Sequence, residues 1–347
     1  GGVPLVRYMP PVAVRPRPGY AEADLALTFV EDRPLALELG GGYIPDSRKD
    51  ELVWHVDARF ANVLGGGRSA RVLSERRDEG RQILLVSYAQ PVFLVGLGRV
   101  RGEVATRDYR DSFYEFLLTG GWEAKFRPDF TAGVDLTYRS VEPSGAEASF
   151  KAYQVGFSAG WDRRDDPLNP RQGFHAATTV AYSHRRYGAD TVTQVAARSF
   201  NETRTRFEAA IYQSLVGSIV GHVGVGYRGL ETAEDLPPLS ELVLVGGPGS
   251  LRGYRNEQFT AVRTALITVE PRVQFGSGYL FGFVDGAYLN NRVLSESGVR
   301  TVEDFKAGFG LGLAVVTQQR GVKLSFGWNP DLGYDEPRLS IQFTSEI

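Results

Sequence analysis

Asp304-Phe305-Lys306-Ala307-Gly308-Phe309-Gly310-Leu311-Gly312-Leu313-Ala314-Val315 alternates strictly. Phe305, Ala307, Phe309, Leu311, Leu313 and Val315 share one parity, and Lys306, Gly308, Gly310, Gly312 and Ala314 the other. A period of two describes a strand with two unlike faces and argues against a helix. The same pattern recurs near the start, where Leu35, Leu37, Leu39, Gly41 and Tyr43 oppose Ala36, Glu38, Gly40 and Gly42. It recurs again at the end, where Leu339, Ile341, Phe343 and Ile347 oppose Ser340, Gln342, Thr344 and Glu346.

Alternation runs through almost the whole chain of 347 residues, and no composition break marks a linker. No apolar run approaches the ~18 residues that a membrane helix needs. A slightly negative mean hydropathy suits a soluble protein, but it equally suits a membrane barrel, whose strands average lipid-facing against lumen-facing residues. The net charge of -2 gives no nucleic-acid footprint and no polybasic patch, so no nucleic-acid partner is expected. The absence of Cys excludes disulfides and thiolate metal sites and fits an oxidising envelope compartment.

Strands are expected near 33–44, 51–62, 68–76, 82–94, 98–107, 112–126, 130–140, 149–163, 173–186, 204–216, 219–229, 261–275, 279–289, 304–317, 321–328 and 338–347. That makes about sixteen, an even number as single-chain bacterial barrels require. Residues 190–203 extend their neighbours as a hairpin or form a strand of their own. Short turns such as Leu64-Gly65-Gly66-Gly67 alternate with long loops at 230–260 and 290–303. In a sandwich the apolar faces would form a core, and in a barrel they face lipid. Polar residues of the other parity include Glu38, His55, Asp57, Arg59, His222, Arg228, Glu270 and Arg272. Aromatic residues near strand ends, among them Tyr43, Phe60, Phe93, Trp161, Phe275 and Trp328, suit interface girdles. The expected fold is all-β, a transmembrane antiparallel β-barrel whose long extracellular loop folds into the lumen.

Gly246-Gly247-Pro248-Gly249-Ser250-Leu251-Arg252-Gly253-Tyr254 lies in that loop, and Gly282-Phe283-Val284-Asp285 lies on a later strand. Two readings are open on the residues alone. Arg252 is a solvated loop residue, or it folds inward to meet a carboxylate, because an unpaired buried charge is costly.

The chain resembles the outer-membrane assembly and two-partner secretion superfamily, which includes the BamA/TamA insertases. Leu251-Arg252-Gly253-Tyr254 is similar to the family's motif in the sixth extracellular loop, and Gly282-Phe283-Val284-Asp285 to its partner motif on strand thirteen. Trp161-Asp162-Arg163-Arg164-Asp165-Asp166-Pro167-Leu168-Asn169-Pro170-Arg171-Gln172-Gly173 is similar to its periplasmic turn between strands eight and nine. The resemblance implies a loop-lumen lock made by Arg252, Gly253, Tyr254 and Asp285, with Glu270 sharing or replacing the carboxylate. It implies that residues 1–32 are the tail of a POTRA domain whose remainder is missing, and that 33–347 form the barrel.

The functional candidate is the seam between the first and last strands, carried by Leu37, Leu39, Gly40, Gly41, Gly42, Ile341 and Phe343. Edge strands with few ladder bonds open most easily. The resemblance implies an assembly factor that inserts client β-barrel or surface proteins through this seam, in a bacterial-type outer membrane with both termini periplasmic. Expected partners are the lipid bilayer, client outer-membrane proteins and periplasmic accessory proteins. A two-partner secretion transporter and a membrane anchor for an upstream enzyme domain stand as alternatives. No catalytic residue, metal site or cofactor is expected. His55, His175, His184 and His222 are scattered, Ser250 lacks the nucleophile-elbow context, and Asp165, Asp166, Asn169 and Pro170 are turn formers.

Overall fold

The structure, a computed structural model, describes residues 6–16, 23–31, 35–44, 51–78, 81–92, 97–109, 112–145, 147–188, 197–317, 320–331 and 333–345. Among the described residues, two strands, β1 (Val6–Pro16) and β2 (Ala23–Glu31), pair only with each other. The sheet that follows runs β3 (Leu35–Ile44), β4 (Glu51–Ala61), β5 (Ser69–Asp78), β6 (Arg81–Val92), β7 (Leu97–Tyr109) and β8 (Phe113–Arg127). It continues through β9 (Phe130–Pro143), β10 (Phe150–Asp162), β11 (Gly173–Tyr187), β12 (Arg198–Ser214) and β13 (Ile219–Thr232). The loop after β13 carries the short pair β14 (Val243–Val245) and β15 (Phe259–Ala261). Five strands complete the sheet: β16 (Arg263–Phe275), β17 (Gly278–Ser295), β18 (Gly298–Val316), β19 (Arg320–Asn329) and β20 (Gly333–Ser345).

Sixteen strands form one antiparallel sheet in which chain neighbours are also hydrogen-bonded neighbours, apart from the β14 and β15 excursion between β13 and β16. The outward parity is apolar and exposed. Leu136 is 62% exposed, Phe157 60%, Phe305 65% and Leu311 64%, and the large apolar side chains stay exposed from Leu35 and Leu37 on β3 to Leu339 and Ile341 on β20. No water-soluble surface carries apolar exposure on this scale, so the outward face is the lipid face. Trp122, Phe126 and Phe130 form a ring-contact chain at one end of the strands, and Trp161 meets Phe174 at that same end, as an interface girdle requires. Among the described residues no helix is long and apolar enough to cross a membrane, and the chain crosses with strands.

The inward parity is polar, glycine-rich or aromatic. Residues 246–258 make side-chain contacts with β6, β16, β17, β19 and β20. One short segment reaches strands that far apart only if the sheet is rolled around it. The chain is therefore a transmembrane β-barrel of sixteen strands with an occupied lumen. The main buried apolar cluster lies where the loop meets the wall: Val245, Leu251, Tyr254, Ala261, Ala287 and Leu289.

Of four details, the first and the fourth differ from the sequence reading, and the other two bear on it. Residues 290–303 are not a long loop. They extend β17 and β18 as a hairpin with Asn290 opposite Glu303 and Ser295 opposite Gly298. These strands, of 18 and 19 residues, exceed the ~9–11 that cross a bilayer. Their outer ends meet water on both faces, so the alternation that marks lipid-facing strands fades there. Second, β12 begins at Arg198, so residues 198–203 extend an existing hairpin, with Arg198 opposite Tyr187. The rest of the 190–203 question, residues 190–196, lies outside the described residues. Third, Val6–Pro16 is a strand despite its prolines. Pro10 and Pro11 sit at the register shift between Met9 and Ala13, where no ladder donor is needed. Fourth, β20 begins at Gly333, five residues before the expected start, and has 13 residues.

Candidate functional site

The loop between β13 and β16 is held at two places of opposite charge. Its first half brings acids to a basic wall. Glu241, in a single 3-10 turn at Leu239–Glu241, approaches Arg139 at 3.1 Å and also pairs with Arg204. Glu234 pairs with Arg185 and accepts from the Tyr187 hydroxyl at 3.1 Å. Arg185 is fully buried, 2.6 Å from Glu202, with its guanidinium carbon 5.0 Å from the Phe150 ring and 5.2 Å from the Tyr187 ring. Burial among aromatic faces removes competing water, so these charges must satisfy one another.

The second half reverses the signs. Arg252 Nε donates to Asp285 Oδ2 at 2.7 Å, Nη2 to Asp285 Oδ1 at 2.7 Å, and Nη1 to Glu270 Oε2 at 2.7 Å. The guanidinium lies 3.6 Å from the centre of the Phe283 ring. Thr268 adds a 2.9 Å hydrogen bond to Asp285, while Arg272 and Lys323 each reach Glu270 at 2.9 Å. Asp285 and Glu270 are fully buried and Arg252 is nearly so. The planar guanidinium suits this role, because its fork spans two carboxylates where one ammonium could not.

The neighbouring residues close the arrangement. Gly253 has φ of +91°, and a side chain there would put Cβ 2.4 Å from the Trp328 carbonyl oxygen. The Gly253 carbonyl accepts from Asn329 Nδ2 at 2.6 Å, and the Tyr254 hydroxyl donates to Asp331 at 3.1 Å. Gly308, one of the alternating small residues of β18, clears space for the Arg252 carbonyl; a Cβ there would approach it to 1.9 Å.

The structure thus brings Arg252, Gly253, Tyr254, Asp285 and Glu270 to one place. Reading the sequence did not assign Lys323, Asn329, Thr268, Phe281 or Phe283 to it. One signal was available: Tyr279, Phe281 and Phe283 have lumen parity while Leu280 and Val284 face lipid, so this strand is apolar on both faces. Such a strand in a barrel marks a covered lumen wall.

The seam residues lie on the two outer strands of the sheet. On β3, Leu37, Leu39, Gly40, Gly41 and Gly42 pair with Ala58, Val56, His55, Trp54 and Val53 of β4. On β20, Ile341 and Phe343 pair with Leu324 and Val322 of β19. Leu37 and Ile341 are exposed on the lipid face. Among the described residues β3 and β20 share no ladder. The side chains of Leu39 and Phe343 lie outside the described residues, as do those of Glu38, Tyr43 and Phe93.

At the other end of the barrel the turn after β10 is tied by its own carboxylates. Asp165 Oδ1 accepts backbone N–H bonds from Asp166, Arg171 and Gln172 at 2.9–3.1 Å. Asp166 Oδ1 accepts from Leu168 and Asn169. In the adjacent turn, Asp129 accepts from Arg163 Nε at 2.6 Å and Trp161 Nε1 at 2.9 Å, which hold its carboxyl down at about 2. These turns border an open cavity of about 570 Å³ that includes Arg99, Glu123, Lys125 and His175. Of the other histidines, His222 stacks on Tyr212 at 4.7 Å and His184 bonds Asn201. Among the described residues no three His, Asp or Glu side chains form a metal-binding group.

Residues 62–345 match the family model described as the Omp85 superfamily domain. No curated protein matches the chain. Among solved structures, the fold is similar to the crystal structure of BamA from Haemophilus ducreyi lacking POTRA domains 1-3, at 15% identity and a TM-score of 0.62. That match covers 99% of this chain and 75% of the other. It is equally similar to CdiB from Acinetobacter baumannii, at 12% identity and a TM-score of 0.62, covering 97% of this chain and 65% of the other. At these identities the likeness is one of fold. The family match spans most of the chain, from the turn after β4 to the end of β20, and the chain belongs to the Omp85 superfamily of outer-membrane barrels.

Proposed function

We propose that this barrel is an outer-membrane assembly factor that inserts client β-barrel or surface proteins through the seam between β3 and β20. The carrying observation is the sheet itself. Among the described residues, fifteen neighbouring strand pairs are hydrogen-bonded in an unbroken series, and the pair that would close the circle is not. A strand margin with free N–H and C=O groups inside a membrane is costly, because lipid offers no partners. A client strand meets that need by adding to the margin, and its own burial and pairing supply the free energy. No covalent chemistry is needed.

The lumen supports this reading over passage of an exoprotein through the pore. Residues 246–258 cross it and are anchored to strands on several sides, so a secretion transporter would first have to release both charge clusters. In the proposed orientation both termini of the barrel segment lie on the periplasmic side, and β1 with β2 is the end of a POTRA domain through which accessory proteins act. The anchor reading rests on no observation in the barrel.

The test is photo-crosslinking from the lipid-facing margin positions Leu37 and Ile341 while a client barrel is being inserted into vesicles. The proposal expects cross-links to the client's terminal strands at both positions. Cross-links only from lumen-facing positions, such as Arg101 or Thr268, would overturn it in favour of secretion through the pore.

A further inference from the structure

We infer that the tip of the β13–β16 loop is a tie that holds the two sides of the seam together from inside, joining the last strand to the fourth. This rests on the lateral-seam reading and assigns the groups that would regulate it. On one side, Gln342 Nε2 of β20 donates to the Pro248 carbonyl at 3.0 Å. On the other, Arg81 at the start of β6 donates to Glu257 Oε2 at 2.7 Å and reaches the Asn256 carbonyl at 3.4 Å. The shorter arc between these anchors is β20, β3, β4, β5 and β6, and it contains the seam, where the described residues of β3 and β20 share no ladder. The longer arc is a continuous ladder. The loop tip is therefore a chord across the interrupted part of the circle.

A chord transmits force only if it is stiff, and this one is. Glu257 N–H donates to the Gly246 carbonyl at 3.3 Å and closes the base of the tip. Within it, Leu251 N–H donates to the Gly247 carbonyl at 3.0 Å, and the Ser250 hydroxyl bonds both backbone groups of Gly246. Leu251 is fully buried. The tip thus moves as one body, and its position is set by the Arg252 cluster. The coupling to the seam is direct on the β20 side, because Gln342 pairs across the ladder with Lys323, which holds Glu270. Release of Arg252 disturbs Glu270 and Pro248 together, and with them their partners Lys323 and Gln342, cross-strand neighbours on β19 and β20. For the margins to part, the tip must leave Gln342, Arg81 or both.

The chain contains no cysteine, so spin labels placed by Leu37→Cys and Ile341→Cys report seam width specifically. The measurement is the distance distribution between them in the full chain in lipid, with and without client. The tie predicts a narrow distribution in the otherwise unaltered protein. In Gln342→Ala/Arg81→Ala the mean should lengthen by about one strand spacing, ~5 Å, or the width grow by as much. In a second variant without labels, Pro248→Cys/Gln342→Cys, the disulfide should slow client insertion and reduction should restore it. An unchanged distribution in the folded Gln342/Arg81 variant would overturn the tie. If client addition still widened the distribution in that case, the seam reading would survive alone. A distribution that stays narrow in every variant and with client would remove both.

Discussion

Replacing Arg252 with alanine is the most informative single perturbation, because the structure says where its cost falls. The substitution removes three 2.7 Å charge-assisted bonds and a guanidinium stacked 3.6 Å from Phe283. Glu270 keeps Arg272 and Lys323 and stays compensated. Asp285 is left fully buried with Thr268 and the residue-252 backbone N–H, both neutral donors. Orphaning one buried charge costs ~3–5 kcal/mol, and the retained pairs on Glu270 put this case at the lower end, about 3 kcal/mol. At ~1.4 kcal/mol per tenfold, the docked loop becomes about 100-fold less favoured against the released one. Amide hydrogen exchange over 246–258 reads that equilibrium while exchange in the β8–β11 ladders reports the barrel. Asp285→Asn removes the stranded charge, so the double variant should be less unstable than the two single losses summed, by ~1–3 kcal/mol. Arg252→Lys should recover only part of the loss, since an ammonium cannot span both carboxylates. Unchanged protection of the loop in Arg252→Ala, or additive losses in the double variant, would refute the reasoning.

Gly253→Ala and Gly308→Ala should each undock the loop as Arg252→Ala does, since their Cβ atoms would meet backbone at 2.4 Å and 1.9 Å. Protease cleavage confined to 246–258 in an intact barrel is the expected readout. The Asp129 carboxyl titrates at about 2, below its ordinary 3.8, so its bonds to Arg163 and Trp161 contribute fully above about pH 4 and are lost as pH falls through 2. Asp129→Asn should therefore loosen the turn after β10 at pH 6 and converge on the unaltered protein only below pH 2, measured by cleavage within residues 163–172. Glu241→Gln should release the first half of the loop from Arg139 and Arg204 and raise ion conductance in planar bilayers, with Arg252 still docked.

The period of two was the legible part of this chain. It located the sixteen membrane strands and their lipid faces, because a lipid face and a lumen face impose opposite chemistry on alternate residues. It failed where that contrast disappears. The outer ends of β17 and β18 see water on both faces, so Asn290, Asn291 and Glu296 read as loop formers although most of that stretch is ladder. At the site, parity gave Glu270 an inward position, and the two motifs of the resemblance singled out Arg252 and Asp285. Parity says which face a residue occupies, not which residue it meets across the lumen. Lys323, Asn329, Gln342 and Arg81 come within reach of the loop or its cluster only through the rolling of the sheet and the loop's path. Neither is encoded in any local stretch.

The seam carries the central claim, and it is tested most directly by closing it covalently. A cysteine at Gly41 and one at a cross-strand position within 338–347 should form a disulfide when the margins meet. Client insertion into vesicles is then measured before and after reduction of the same preparation. The account predicts that insertion stops while the disulfide is intact, that reduction restores it, and that the loop and barrel keep their exchange protection throughout. Full insertion with the seam quantitatively cross-linked would contradict it.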